Sequence, residues 1–276
     1  MTGSILLAWI ALHTAGLVAS SEISIALGTG LLAVVSWIDD LRGLSPWVRL
    51  AAQGAAVTIG ILVLPETRNG FEAWLGPTLC FAALGLVWVW WINLFNFMDG
   101  IDGLAVSEAA AICGGLLLFA IVGDGADSTA ALLTAGIIGA AIGFLVWNWS
   151  PARIFLGDVG SVPLGYLSGF LLLELATRGR WKIALILPLY FLADATITLF
   201  RRLLSGERVW EPHRQHFYQR AVRNGLGHAD VVKRVIAANL LLIGCGWAAE
   251  NAGAALSLAA AIAIVAVLLV ALAAGR

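Results

Sequence analysis

Apolar residues run through this chain in long blocks, each about the 17–25 residues that a helix needs to cross a bilayer, with short polar interruptions between them. The blocks cover 4–20, 23–38, 48–64, 74–92, 104–122, 129–147, 160–176, 182–200, 232–249 and 253–273. Their apolar positions are continuous and do not alternate over ten-residue stretches. A spanning segment must satisfy its own backbone groups, so this pattern predicts helices and not the strands of a barrel. The expected fold is all-α, a polytopic membrane bundle of about ten transmembrane helices, with 1–276 forming a single integral-membrane domain.

Composition agrees. Hydrophobic residues make up 61% of the chain and charged residues 12%, against about 25% charged in a soluble domain. Cys80, Cys113 and Cys245 each stand alone in an apolar block without metal-like spacing, which makes them packing residues. His13, alone in the first block, reads as an interior-facing residue and not a ligand. Most of the 12 tryptophans lie near block ends, as interfacial anchors do.

The placement of the charges matters more than their sum. If interruptions alternate sides, one side holds 12 of the 16 Lys and Arg residues, and the other holds only Arg68, Arg178, Arg180 and Lys182. The positive-inside rule puts the first side, and both termini, in the cytoplasm. Four polar segments fall on that side: "SWIDDLRGLSPWVRLAAQ" (36–53), "NLFNFMDGIDGLA" (93–105), "NWSPARIFLGDVGS" (148–161) and "EPHRQHFYQRA" (211–221). The opposite loops are short and lack comparable order. One cytoplasmic active-site face, built from loops distant in sequence, is therefore expected.

The segments carry recognisable chemistry. Asp39 and Asp40 are adjacent, so their side chains diverge and only one can face a given centre. Asp99 and Asp102 are three apart and follow Asn93 and Asn96 at the same spacing, which on a helical turn makes one polar stripe. Asp158 lies just after Gly157 and ahead of an apolar block, where it either caps a helix or ligates Mg²⁺ beside a phosphate site. His213 and His216 are interleaved with Arg214 and lack a third ligand at zinc spacing, so they read as part of an anion-binding cluster. Asp194 sits inside an apolar block, and an intramembrane carboxylate needs a partner or a polar cavity. It is expected at the edge of the site, pairing Arg201 or Arg202. Acidic groups for a divalent cation and basic groups for phosphate, at a membrane surface, suit a phosphorylated lipid, a nucleotide, or both.

In this order the four segments resemble the polyprenyl-phosphate N-acetylhexosamine-1-phosphate transferases, glycosyltransferase family 4, over residues 36–221. The resemblance implies a Mg²⁺-dependent enzyme, with Mn²⁺ as a substitute. It would transfer the sugar 1-phosphate of a UDP-N-acetylamino sugar to undecaprenyl phosphate, releasing UMP. Carried over, Asp158 matches the metal-binding aspartate, and Asp39 and Asp40 match the catalytic acidic pair. Asn96, Asp99, Asp102 and Asn148 match residues lining the nucleotide-sugar site, and Phe155 the aromatic that stacks on uracil. Arg49 stands where the family has a basic residue, and His213, Arg214 and His216 match its histidine motif.

The short "EPHRQHFYQRA" lacks a longer insertion and a run of histidines. It looks more like the branch that initiates O-antigen or capsule-type glycans than the phospho-N-acetylmuramoyl-pentapeptide transferase. The implied location is the bacterial inner membrane with a cytoplasmic active site. The implied partners are the polyprenyl phosphate, the UDP-sugar, the bilayer and, as a homodimer, a second copy, with no nucleic acid. The family's first helix and first cytoplasmic loop are not evident before the first block. That motivates a rival reading, an inactive lipid- or nucleotide-sugar-binding remnant. A transporter is a further rival, and it predicts discontinuous helices and a repeated half.

Overall fold

The computed structural model describes residues 1–64, 69–122, 127–208 and 214–275. Among them the order is α1 (Thr2–Thr14), α2 (Ser20–Arg42), α3 (Pro46–Val63), α4 (Asn69–Phe97), α5 (Leu104–Val122), α6 (Ser128–Asn148), α7 (Asp158–Leu175), α8 (Trp181–Ile186), α9 (Leu189–Leu204), α10 (Phe217–Arg223), α11 (His228–Asn251) and α12 (Ala254–Ala273). A π-helical turn, Ala176–Arg180, joins α7 to α8. The described residues contain no strand. Eight helical stretches are long and apolar enough to cross a membrane, and α1 is apolar but shorter. The chain is a multi-pass membrane protein of the expected class.

Some expected blocks differ in detail: α1 stops at Thr14, short of residue 20, and α4 carries a kink at Gly76, at φ 73°. Residues 182–200 do not form one helix but split into α8 and α9 at Leu187 and Pro188. Proline has no N–H to give the carbonyl four residues back, and its ring crowds that carbonyl. Beyond the break α9 runs on to Leu204. Other boundaries follow local chemistry. Gly43, at φ 67°, ends α2, and Pro46 opens α3 in its first turn. The Asp127 side chain accepts from the Ala130 N–H at 3.0 Å and so caps α6.

The centre of the bundle is α7, buried without interruption from Gly160 to Leu172 and packed on α1, α2, α4 and α5. Glycine lets it approach α4 closely. A Cβ on Gly165 would stand 3.1 Å from the Ile92 Cα, and one on Gly169 would run into the Trp88 indole. The same contact buries indole N–H groups with partners: Trp88 donates to the Tyr166 carbonyl and Trp91 to the Ser168 hydroxyl, both at 3.0 Å. Trp88 and Tyr166 stack with ring centroids 4.9 Å apart. Pro163 lies inside α7, so the Val159 carbonyl loses its helical donor; the Thr2 hydroxyl of α1 supplies one at 3.0 Å.

Polar chemistry gathers at both ends of α7. Its first residue is Asp158; near its far end Arg178 pairs with Asp127 and Glu174, and Arg180 pairs with Glu250. Sixteen helical residues separate Asp158 from Glu174, about 24 Å along the axis. The second cluster is self-neutralising. The first is not.

Candidate active site

Three elements meet at the start of α7. Gly157, at φ 62°, turns the chain so that Asp158 begins the helix, where free N–H groups and the helix dipole favour negative charge. The Asn96 side chain, on the last turn of α4, donates to Asp158 Oδ1 and to the Ser161 hydroxyl, both at 2.8 Å. Ser161 in turn donates to the Gly157 carbonyl at 3.1 Å. The side chain of Asn96 thus fixes one oxygen of Asp158 and leaves the other for a ligand. From α2, Asp40 brings its Oδ2 to within 3.9 Å of where a Cβ on Gly157 would be. Asp158 is its leading charged neighbour.

Asp39 and Asp40 diverge as expected, and the structure shows which one faces the centre. Asp39 Oδ1 accepts from the Leu44 N–H at 2.6 Å, and its Oδ2 pairs with Arg49 at 3.2 Å. Asp39 therefore shapes the turn between α2 and α3 and holds Arg49, while Asp40 is solvent-exposed and faces Asp158.

The expected single stripe of Asn93, Asn96, Asp99 and Asp102 is corrected. Helix α4 ends at Phe97, and residues 98–103 form a turn around Gly100 and Gly103, the latter at φ 77°. Asn93 bonds Gln53 of α3 at 2.7 Å. Asp99 looks toward Asp158, and burial, with the Asp158 charge adding to it, pushes its carboxyl up to about 7. Asp102 turns the other way, accepting from the Ala152 N–H at 3.2 Å and meeting His228 Nδ1 at 3.2 Å. Asn148 is buried; its oxygen accepts from the Gly103 N–H at 3.0 Å and its amide donates to the Ile154 carbonyl at 2.8 Å. Here Asn148 ties the 98–103 turn to the 149–157 loop. Phe155, on that loop, is 73% exposed, its ring free to receive a planar partner.

Asp194 does not pair with Arg201 or Arg202. Arg202 goes to Glu207 at 2.8 Å and to the Arg208 carbonyl at 2.9 Å. Asp194, fully buried, accepts from His216 Nδ1 at 3.1 Å and from the N–H groups of Phe217 and Tyr218 at 3.0 and 3.2 Å. Tyr190 and Thr198, one turn either side of it on α9, add hydroxyls at 3.3 and 3.4 Å. The carboxylate caps α10 from another helix. Tyr218 then donates to the Phe97 carbonyl at 3.0 Å, and Gly100, lacking a Cβ, makes room for it. His216, expected at the substrate, is 2% exposed and holds α10 in place; Arg214 is exposed, and His213 lies outside the described residues.

Beside this face, Leu50, Leu86, Trp90, Phe97, Leu199 and Phe200 line an apolar groove of about 640 Å³ between α3, α4 and α9, with Asn93 in its wall. Asn93 is one turn from Asn96, so the groove opens beside the acidic cluster.

Sequence reasoning missed three residues. His228 opens α11 against Asp102, and its signal was a lone histidine after the breaker "GLG". Glu108 and Asn239 meet at 2.6 Å inside the membrane, joining α5 to α11. A carboxylate and an amide within apolar blocks were the available clue.

Residues 23–176 match the family model for glycosyl transferase family 4. Among curated relatives, the chain is similar to a "Probable undecaprenyl-phosphate N-acetylglucosaminyl 1-phosphate transferase" of Bacillus subtilis (strain 168), with 29% identity, covering 74% of this chain and 59% of that protein. It is also similar to the "Phospho-N-acetylmuramoyl-pentapeptide-transferase" of Mycobacterium leprae (strain TN), at 31% identity over 76% of this chain and 70% of the relative. The protein of that name in Synechococcus sp. (strain JA-3-3Ab) is 32% identical over 82% of this chain and 71% of its own length.

Proposed function

This chain belongs to glycosyl transferase family 4, and from that premise we propose that it transfers an N-acetylamino-sugar 1-phosphate from a UDP-sugar to a polyprenyl phosphate. The observation that carries the reading is Asp158, held by Asn96, with Asp40 and Asp99 near enough to feel its charge and an apolar groove alongside. In the step, an oxygen of the lipid phosphate forms a bond to the β-phosphorus of the donor. The bond from that phosphorus to the bridging oxygen breaks, and UMP carries the electron pair away.

The donor set fits a divalent cation. Its atoms are carboxylate oxygens that repel one another, with Asp158 held in place by Asn96. Among the described residues no three His, Cys, Asp or Glu side chains could hold a metal ion as a group. Mg²⁺ or Mn²⁺ takes one or two carboxylates and completes its shell with phosphate and water. Asp158 would hold the ion with Asp40 and Asp99 beside it, and the ion would neutralise charge on the diphosphate.

The chain's own residues do the rest. The exposed Asp40 borders the approach of the lipid phosphate, and the Asp39–Arg49 pair keeps a guanidinium at that edge. The groove takes the first isoprene units, whose apolar burial contributes about 0.8 kcal/mol per CH₂. Phe155 offers a face to the uracil. No general base is required, because the second pKa of a phosphate monoester is about 6 and the nucleophile is already ionised at neutral pH. Phosphoryl transfer asks for positioning and charge neutralisation, which this site provides.

The side with the larger share of Lys and Arg is read as the cytoplasm, and this charge bias supports a site on the inner face of a bacterial inner membrane. The relatives' names span both branches of the family, so the donor is proposed no more finely than a UDP-N-acetylamino sugar. The O-antigen or capsule reading rests only on the short 211–221 segment. The test is transfer of label from a panel of UDP-sugars, including UDP-N-acetylglucosamine and UDP-N-acetylmuramoyl-pentapeptide, to undecaprenyl phosphate in proteoliposomes. One labelled lipid product supports the reading and names the donor. Binding of nucleotide without a lipid product from any donor contradicts it.

A further inference from the structure

His228 stands outside the four polar segments, and its surroundings give it a defined task. Three stretches of chain meet at Asp102: the 98–103 turn that carries it, the 149–157 loop through the Ala152 N–H, and the start of α11 through His228. The Ala152 N–H bonds the side chain at Oδ2 at 3.2 Å, and the Asp102 N–H donates to His228 Nδ1 at 3.4 Å. Among the described residues Oδ1 accepts no hydrogen bond, and the Asp102 side chain keeps 15% of its surface open.

The tautomer follows from the geometry. His228 Nδ1 lies 3.2 Å from Asp102 Oδ2 and 3.4 Å from the Asp102 N–H nitrogen. The Asp102 N–H donates to Nδ1, so Nδ1 is an acceptor and the ring proton resides on Nε2. With its backbone held by His228 and its Oδ2 by the Ala152 N–H, Asp102 is fixed and Oδ1 is the atom left to accept from a ligand N–H or O–H.

We propose that His228 is a positioning residue for the nucleotide end of the site: it locks Asp102 so that Oδ1 meets a donor on the nucleotide, and it fastens the 98–103 turn and the 149–157 loop to α11. The proposal rests on the UDP-sugar reading above. Its mechanical half, the fastening of two loops, stands independently of what binds there.

The test uses the full chain in nanodiscs, with UMP as probe. His228→Ala raises the UMP dissociation constant about 10-fold, the scale of one charge-assisted hydrogen bond. His228→Asn, whose side-chain carbonyl can place an acceptor near the Nδ1 position, stays within about threefold of the parent. The KM for polyprenyl phosphate stays unchanged in both, since the groove lies elsewhere. Hydrogen exchange at residues 100–104 and 152–154 speeds up in His228→Ala and not in His228→Asn.

Unchanged exchange in His228→Ala overturns the fastening role. Faster exchange with unchanged UMP affinity overturns the positioning role. Equal losses in the two variants show a merely structural residue and also overturn it. If the parent chain binds no UMP, the nucleotide reading itself fails, and the exchange measurement still decides the mechanical half.

Discussion

Asp194 on α9 and His216 before α10 meet at 3.1 Å with 0% and 2% of their side chains exposed. The pair joins a membrane-embedded helix to a segment 22 residues later. The same carboxylate caps two N–H groups of α10, whose Tyr218 reaches the carbonyl at the end of α4. The face of α9 that carries Tyr190, Asp194 and Thr198 is buried, while Leu199, Phe200 and Leu203 line the groove. One helix therefore serves both the apolar groove and the scaffold of the polar site.

Removing that carboxylate leaves buried donors unpaired, at about 1–3 kcal/mol each. Asp194→Ala is predicted to lower the detergent-solubilised Tm by about 5–10 °C, at 2–4 °C per kcal/mol for a chain of this size. Tyr218→Phe, which loses one hydroxyl and its bond to the Phe97 carbonyl, falls by less than Asp194→Ala. Differential scanning fluorimetry measures both.

Asn96 holds Asp158 in place through its side-chain amide. Loss of such a supporting partner typically costs about 10–100-fold in metal affinity or activity. Asn96→Ala is predicted to raise the Mg²⁺ concentration for half-maximal transfer by that range, and Asn96→Asp to do worse because it adds another negative charge. A Mg²⁺ titration of the transfer rate checks both.

Asp99 gives a pH dependence with a definite sign. Its carboxyl is raised from 3.8 to about 7, so between those values the folded state binds more protons than the unfolded state. Stability from this group is present at low pH and is lost as pH rises through about 7. Asp99→Asn, which stays neutral, is predicted to be more stable than the parent above pH 7, with the difference vanishing toward pH 4. Tm measured against pH, without divalent cations, reads it directly.

How much of this was legible in the sequence differs from element to element. The helical class and the block positions were, because apolar length is a strong signal. The break at Pro188 was legible in principle, but hydropathy alone hides it. Asn96 and Asp158 both stood out as site residues, but the bond between them did not. The shared face of Asp99 and Asp102 was not, since the helical spacing assumed for them stops at Phe97 once Gly100 and Gly103 intervene. Asp194 announced its need for a partner, but its nearest basic residues in sequence were not the partners in space. Glycines at 165 and 169 read as neutral in the apolar pattern, yet they set the α4–α7 distance.

That last point is itself testable. Gly165→Val would press against the backbone of Ile92, and overpacking of this kind costs about 1–3 kcal/mol. The variant is predicted to unfold several degrees below the parent and to lose transfer activity, because α4 carries Asn96 and α7 carries Asp158. A surface change such as Gly30→Val, where no atom lies within 4 Å of an added Cβ, is the control in the same melting assay.

The central claim is that the acidic cluster at the start of α7 carries out phosphoryl transfer. UMP release from a UDP-N-acetylamino sugar, measured with undecaprenyl phosphate and Mg²⁺ for the parent chain beside Asp158→Asn, tests it most directly. The account predicts lipid-dependent UMP release that is lost on chelation and falls by about a thousandfold or more in Asp158→Asn, the scale of losing an essential electrostatic stabiliser. UMP release at the parent rate from a folded Asp158→Asn protein would contradict it.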